Sequence, residues 1–513
     1  MSAPHTVEQT RCSGRAASIK QLLAIDSFMI WPGIVLIIAI LLTVENALRI
    51  GFLSELNYNE GWNVYNAQRL INNELIYDGN FWRVNNYPIG SFLLVAGVNL
   101  MAGDLLLAGR VVALVAFAAL GLLATIATRR FGGSRADAVF GAGCALGFCY
   151  IVAPAWIMVD DPQTLAEAVT LGGLVCYISR PPDRASLLCS ASLIVLGGFI
   201  KHNGEAIAIA ITLDLAIRSP RRLPFWLASC GGFGAVFLVL TRAIAGGGFI
   251  GHLLSPRIFT WHGVHYHLMK YLRAFKFPLL TVIIGCRLVF PGDRFILAAW
   301  GGASILLASI FAGFEGASYN MFQDAAVFLG IAAGVMFSEL RRTIAAAAGR
   351  RTFTKLLAGL APCLLVQPIL TRAPNALVQL YHSPALLAAN RRSEEAFLAD
   401  AKFISDARGP AICESLLLCY TAGQPFILDP FNSRQYILSG RLDETELIRR
   451  IAGHEFAVIQ LRADICDDPT TTSCHILHSP QKVNRFTDET LYAVARYYDV
   501  ARRTRNGTFY VPK

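Results

Sequence analysis

Charge is what this sequence has least of. Only 16% of its 513 residues are Asp, Glu, Lys or Arg, where soluble domains carry roughly 25%. Apolar and aromatic residues make up 54%, which excludes a disordered chain, a collagen-like fibre and a small disulfide scaffold. Signatures of soluble enzymes are missing too. No Gly-rich phosphate loop sits at a strand–helix junction, and no serine occupies a nucleophile elbow. A nucleotide-driven pump and a cytosolic nucleotide-sugar enzyme therefore have no anchor here. Zinc-type cysteine spacings, internal repeats and low-complexity linkers are absent as well.

The charge that is present is unevenly placed. There are 45 Lys and Arg against 35 Asp and Glu, a net charge of +10. A nucleic-acid binder would gather these cations with aromatics on one face. Instead Arg129-Arg130, Arg180, Arg218 to Arg222, Arg341-Arg342 and Arg350-Arg351 form short runs between apolar stretches. That is the pattern of cytoplasmic loops, so the partner is a lipid bilayer and not nucleic acid.

Residues 1–26 read as a cytoplasmic N-terminus. The run from Phe28 to Leu42 is too long for a signal peptide and lacks its small-residue exit, so it is a retained span. A polar segment follows, then an apolar stretch at 88–102 that is short for a crossing and reads as a juxtamembrane or re-entrant helix. Further apolar runs lie near 109–128, 138–158, 164–179, 186–200, 204–217, 223–241, 277–290, 295–312, 321–337 and 356–370. The expectation is an all-α polytopic domain over 27–370 with about eleven spans. With the basic runs inside, the first loop 45–108, the turns near 160 and 202, the loops 242–276 and 313–320, and all residues after 371 lie outside.

The tail, 371–513, has a different composition. Strand-like runs (Pro410 to Cys413, Pro425 to Leu428, Phe456 to Leu461) alternate with helix-like ones (Leu442 to Ile451, Thr487 to Val500), which predicts a small periplasmic α/β domain. Cys466 and Cys474 flank Asp467-Asp468-Pro469 as a disulfide loop. Cys413 and Cys419 suit a bond less well, because Glu414 to Tyr420 reads as a helix start.

Polar residues at membrane depth mark function more often than those in a soluble core, and here they gather on the outer side. Glu60 lies beside Trp62 and Tyr65. Asp160-Asp161 precede Pro162, a pattern that also suits a helix N-terminus. Lys201-His202-Asn203 end a span, where a lysine can also snorkel. Asn86-Tyr87-Pro88 open an apolar helix, and Glu315 to Asn320, including Tyr319, close an outer loop. Asp324 faces either the cleft or a polar partner. His252, His262, His265 and His267 fall in a long amphipathic loop that reads as an interfacial helix and not a metal cluster.

The order of these motifs resembles the membrane glycosyltransferases of the GT-C fold, nearest to bacterial family 39-like proteins. These are relatives of protein O-mannosyltransferases and of the lipid A aminoarabinose transferase. The likeness rests on Asn59-Glu60-Gly61-Trp62-Asn63, Asn85-Asn86-Tyr87-Pro88, Ala108-Gly109-Arg110, Asp160-Asp161-Pro162 and Lys201-His202-Asn203. It implies a bacterial inner-membrane transferase that moves a sugar from a polyprenyl-phosphate donor to an acceptor on the periplasmic face. It makes Glu60 the general-base candidate, with Asp160 or Asp161 sharing the task, since O-mannosyltransferases have Asp-Glu where this chain has Asn59-Glu60. It also implies donor-phosphate contacts from Lys201, His202 and Arg83, and substrate contacts from Trp62, Asn86, Tyr87, Tyr319 and Asn320. Some GT-C enzymes need a divalent metal and others do not; no metal and no other cofactor is expected here. Two other classes fit the composition: a transporter or lipid flippase, and a non-catalytic glycan-assembly protein. A transporter would place its polar groups near the midplane, in paired broken helices.

Overall fold

The computed structural model describes residues 29–179, 183–289, 294–346, 352–466, 474–476 and 485–513. The membrane part is helical. It begins with α1 (Met29–Arg49), α2 (Tyr58–Ile71), α3 (Gly90–Ala102), α4 (Leu105–Arg130) and α5 (Arg135–Val152). Then come α6 (Gln163–Ser179), α7 (Arg184–Ile200), α8 (Ala206–Arg218), α9 (Leu223–Ala245) and the single turn α10 (Phe249–Leu253). After these follow α11 (Trp261–Ala274), α12 (Lys276–Ile284), α13 (Cys286–Val289), α14 (Phe295–Phe311), α15 (Gln323–Ala346) and α16 (Thr352–Leu370).

Among the described residues, five helices are long and apolar enough to cross a membrane: α1, α4, α5, α9 and α15, the last two counted with the turn before each. The other apolar runs form shorter helices. The run expected at 138–158 stops at Val152, because Pro154 opens a turn and the chain stays irregular up to Gln163. The run at 277–290 breaks at Gly285 into α12 and α13. The helix α11 forms as expected, with Trp261 and Tyr266 exposed, while His252 lies apart on α10.

α15 is the buried centre of the bundle, and glycines let its neighbour come close. A Cβ on Gly330 would lie 2.4 Å from the Ala145 backbone, and one on Gly334 would lie 2.7 Å from Gly141. Small residues at such crossings replace hydrophobic driving force by close backbone contact. At the periphery, α9 is almost wholly unburied although its surface carries Leu227, Val236, Val239 and Ile244. An apolar helix with that exposure reads as facing lipid.

The polar connections segregate to two ends. At one end Arg341 pairs with Asp137 at 2.9 Å, Arg294 with Glu339 at 2.9 Å, and Arg342 bonds the Gly132 carbonyl. At the other end, the segments around 60, 160, 202, 257 and 316 meet the tail.

In the tail, α17 (Ala373–Tyr381) and α18 (Ser383–Asp406) lead into β1 (Ala411–Cys413) and α19 (Leu416–Thr421). Next come α20 (Pro430–Leu438), α21 (Thr445–Ala452), β2 (Val458–Leu461), β3 (Asp464–Cys466), β4 (Cys474–Ile476), α22 (Asp488–Tyr497), β5 (Tyr498–Thr504) and β6 (Gly507–Pro512). The main sheet has the order β1-β2-β6-β5, with β1 parallel to β2 and the other pairs antiparallel. The tail is thus α/β. The run Pro425 to Leu428 is not a strand; it crosses towards α20 as a loop.

The tail does not stand apart. Trp62, Val64 and Tyr65 of α2 share one hydrophobic core with Phe397 of α18, Leu416 to Cys419 of α19, Phe426 and Phe509. At the closest point a Cβ on Gly61 would lie 2.0 Å from the Leu417 backbone nitrogen. Gly61→Ala is therefore expected to force α2 and α19 apart and to destabilise the fold by at least the ~1–3 kcal/mol of ordinary overpacking. A lower melting temperature with faster proteolysis of the tail checks this; an unchanged melt would contradict the contact.

Candidate active site

The outer end holds a polar cleft made of two adjoining cavities of about 270 and 400 Å³, together within the range of small-ligand sites. Tyr58, Asn59, Tyr87, Gly316 and Arg485 line both. The tail supplies the far wall through Asp429, Phe431, Asn432, Arg462 and Arg485. Gly316 has φ 81°, and a Cβ there would lie 2.3 Å from the Phe431 ring. Glycine thus meets both the backbone requirement and the space requirement.

Three of the expected residues sit behind this wall and not in it. Glu60 is fully buried, and Arg110 of α4 grips it twice, Nε to Oε1 at 2.7 Å and Nη2 to Oε2 at 2.8 Å. Its Oε2 also accepts from Leu56 N at 2.8 Å and from Asn57 N at 3.4 Å, and the second bond closes a capping box at the start of α2. Bidentate guanidinium pairing of this kind fixes a helix end. A carboxylate so engaged is poorly placed to receive a proton from a substrate.

Asp160 packs its carboxyl against Gly109 of α4, where even a Cβ would come within 2.3 Å. Burial pushes its pKa well above the usual carboxylate range, with Glu60 and Asp161 adding to the shift. Arg83 pairs with Asp78 at 2.9 Å and lines a separate cavity of about 680 Å³ between α2 and the tail.

Asp161 is differently placed. Its Oδ1 accepts from Lys201 Nζ at 3.0 Å and from Gln163 N at 2.9 Å, and its Oδ2 accepts from Asn59 Nδ2 at 2.9 Å. Asn59 and Tyr87 are cleft residues, and Lys201 Nζ lies 4.8 Å from the centre of the Tyr87 ring. Burial would lower the Lys201 pKa, but Asp161 and Tyr87 more than offset this and raise it. The Asp161–Lys201 pair is thus one side chain from the cleft.

Burial, Lys201 and Arg257 pull the pKa of His202 down to about 4, so at neutral pH its ring would meet a phosphate as a neutral hydrogen-bonding group. Trp62, Asn86 and Tyr87 line the first cavity and Asn320 the second. Tyr319 is buried below, its ring 4.5 Å from Lys270 Nζ.

Three groups at this end were not visible in the sequence. Arg257 reaches the cleft over the Phe431 ring at 5.2 Å, and Arg485 stacks on Tyr58 at 3.6 Å. Asp429 caps α20 and accepts from Tyr58 Oη at 3.3 Å. Only the fold brings these tail residues to α2. The sole hint was that arginines and a carboxylate lie near short apolar elements. His252 is structural: its Nδ1 accepts from Asn85 N at 3.1 Å, so its Nε2 donates to the Asp78 carbonyl at 2.7 Å. No group of three metal-ligating side chains occurs among the described residues.

Cys413 and Cys419 are joined by a disulfide across the turn into α19, against the expectation from spacing. The helix begins only at Leu416, so the two cysteines flank a turn instead of riding one helix. Alkylation without reductant should leave both unlabelled, and labelling of either would contradict the bond. The expected Cys466–Cys474 bond involves side chains outside the described ones.

No model of a known protein family matches the chain, and no curated protein matches it by sequence. Solved structures do. ArnT from Cupriavidus metallidurans in the apo state is 12% identical with a TM-score of 0.56, over 96% of this chain and 98% of that one. The same protein bound to undecaprenyl phosphate also gives 12% and 0.56, over 92% and 97%. The archaeal oligosaccharyltransferase AglB from Archaeoglobus fulgidus, in complex with an inhibitory peptide and a dolichol-phosphate, gives 12% and 0.52 over 94% and 74%. At such identity the likeness is one of fold, and the fold of this chain is GT-C.

Proposed function

We propose that the protein is a membrane glycosyltransferase that takes a sugar from a polyprenyl-phosphate donor at the outer face of a bacterial inner membrane. The observation that carries this is the cleft between α2 and the tail. Arg257, Arg462 and Arg485 stand at its wall, and an ion-paired carboxylate, Asp161, lies behind Asn59. Two of the similar structures hold a lipid phosphate, undecaprenyl phosphate in one and dolichol-phosphate in the other.

The roles follow from charge. As the acceptor hydroxyl attacks the anomeric carbon, its proton must go to a base and the lipid phosphate gains charge. Asp161 is the base in place of Glu60, which requires Asn59, bonded to its Oδ2, to turn aside so that the acceptor can reach it. Lys201, Arg257 and Arg485 stabilise the leaving phosphate. Glu60 acts through Arg110 by holding the start of α2, which presents Tyr58 and Asn59. No metal is assigned.

Two features support the outward orientation. The basic loops lie at the opposite end, as the positive-inside rule requires of cytoplasmic loops, and a disulfide on the cleft side suits an oxidising compartment.

The test uses protein in nanodiscs with a panel of radiolabelled polyprenyl-phosphate sugars. Release of sugar to acceptor or water is the expected result. Donor binding without release would mean that the acceptor is missing. Neither binding nor release would favour a transporter.

A further inference from the structure

Below the cleft, α6 and α15 face each other with acids. Glu167 lies one turn beyond Gln163 on α6, and Asp324 is in the first turn of α15. Both are buried, Glu167 to 3% exposure and Asp324 to 8%, and their carboxyl groups are within hydrogen-bonding reach of each other. The donors around them are neutral. Gln163 Nε2 donates to Glu167 Oε1 at 2.7 Å, and Trp300 Nε1 of α14 donates to Asp324 Oδ1 at 2.8 Å. Fully buried Gln323 spans the same helix pair. Its Nε2 donates to Thr164 Oγ1 at 3.1 Å, and its Oε1 has no donor among the described residues.

The charged and titratable groups near the pair do not balance it. Lys201 acts on Glu167 but is bound to Asp161. Glu205 at the start of α8, Cys149 of α5 and Tyr271 of α11 bring no positive charge. Two unit negative charges about 4 Å apart repel by roughly 4 kcal/mol even at an effective dielectric near 20. Two adjacent carboxyls in such a place keep one proton between them. That proton turns repulsion into an O–H···O⁻ bond, one of the stronger kinds.

We propose that Glu167 and Asp324 form a proton-binding site that holds a single proton, ties α6 to α15, and sets the Gln163–Asn203 arm of the cleft. The connection is continuous. Asn203 Nδ2 donates to Gln163 Oε1 at 3.2 Å, Gln163 N donates to Asp161, and Gln163 Nε2 holds Glu167. Loss of the proton would push the two carboxylates apart and pull Gln163 from its bonds to the outer pair. Glu167 and Asp324 are positioning residues, because they act on the cleft only through Gln163 and Asn203.

The proton is tested by infrared spectroscopy of the whole protein in nanodiscs at neutral and mildly alkaline pH, whatever the reaction proves to be. Burial raises the pKa of Asp160 as well, so the measurement is made in Asp160→Asn. A protonated-carboxyl band is expected there, and its loss is expected when Asp324→Asn or Glu167→Gln is added. Isotope-labelled aspartate and, separately, glutamate, without further substitution, should shift that band and cover the case of a variant that does not fold. Absence of the band in Asp160→Asn would overturn the proposal, as would its survival in both double variants. So would a band that appears only after chelator and low salt strip a cation.

The positioning role rests on the proposed transferase activity and has its own readout. Sugar release by the wild type should fall at alkaline pH, and Glu167→Gln, which has no proton to lose, should not share that fall. An alkaline limb unchanged in Glu167→Gln would remove the positioning role. Absence of both donor binding and turnover, with a normal band, would overturn the transferase reading and leave the proton in place.

Discussion

Asp161→Asn should reduce sugar release by about a hundred- to ten-thousand-fold, the usual contribution of a positioned general base. The change is nearly isosteric: the new amide oxygen can still accept from Gln163 N, while Asn59 must turn its own amide so that its oxygen accepts from the new NH2. What is lost is the negative charge that receives the proton and holds Lys201. Turnover per folded protein, with donor binding measured alongside, separates the two effects. Loss of rate with donor binding retained is the expected pattern. If Asp161→Asn turned over normally, the base would have to be another carboxylate, and Asp429 against Tyr58 would be next. Glu60→Gln, scaled to the amount of folded protein, should leave more activity than Asp161→Asn.

The largest effect on stability is expected at Arg110. Its guanidinium holds Glu60 and donates to the Ser54 carbonyl at 2.7 Å, to Ile50 O at 3.2 Å and to Phe52 O. It therefore fastens the end of α1 and the start of α2 to α4. Both members of the pair are fully buried. Arg110→Ala leaves a buried carboxylate with no counter-charge, and breaking a buried pair in this way costs about 3–5 kcal/mol. Glu60→Gln in the same background should recover part of the loss, because it removes the stranded charge. A melting series of Arg110→Ala, Glu60→Gln and the double variant checks this. A double variant less stable than Arg110→Ala alone would show that the carboxylate has other partners.

Sequence reading went furthest where one physical signal dominated. Low charge, basic runs between apolar stretches and the sidedness of polar residues pointed to the polytopic helical fold. The alternating tail pattern predicted an α/β domain, although Pro425 to Leu428 has strand composition and forms a loop. The short motifs in 59–63, 108–110 and 160–162 converge on one place, and Glu60 there is ion-paired to Arg110. Glu60 looked like the base because it sits in an outer loop beside aromatics. Nothing local reveals that Arg110, fifty positions on, closes over it. Asp429 and Arg485 were illegible for the same reason. They reach the cleft only because the tail packs on α2, and that packing depends on Gly61, whose missing side chain carries no sequence signal of its own.

The shared core also sets an order of events during biosynthesis. Chains fold from the N-terminus as they are made, and α2 emerges hundreds of residues before the elements that cover it. Its face with Gly61, Trp62 and Tyr65 must wait, apolar and uncovered, for Leu416 to Cys419 and then for Phe509 at the far end of the chain. The wall of the cleft is therefore assembled only after the helical bundle has been made. A ribosome stalled or a chain cut within the final sixty residues would yield an inserted helical bundle with no site. Cys413 and Cys419 emerge shortly before those residues, and their bond lies at the turn into α19, which packs on Gly61, so the supply of oxidant would be felt as failed assembly before it was felt as lost chemistry.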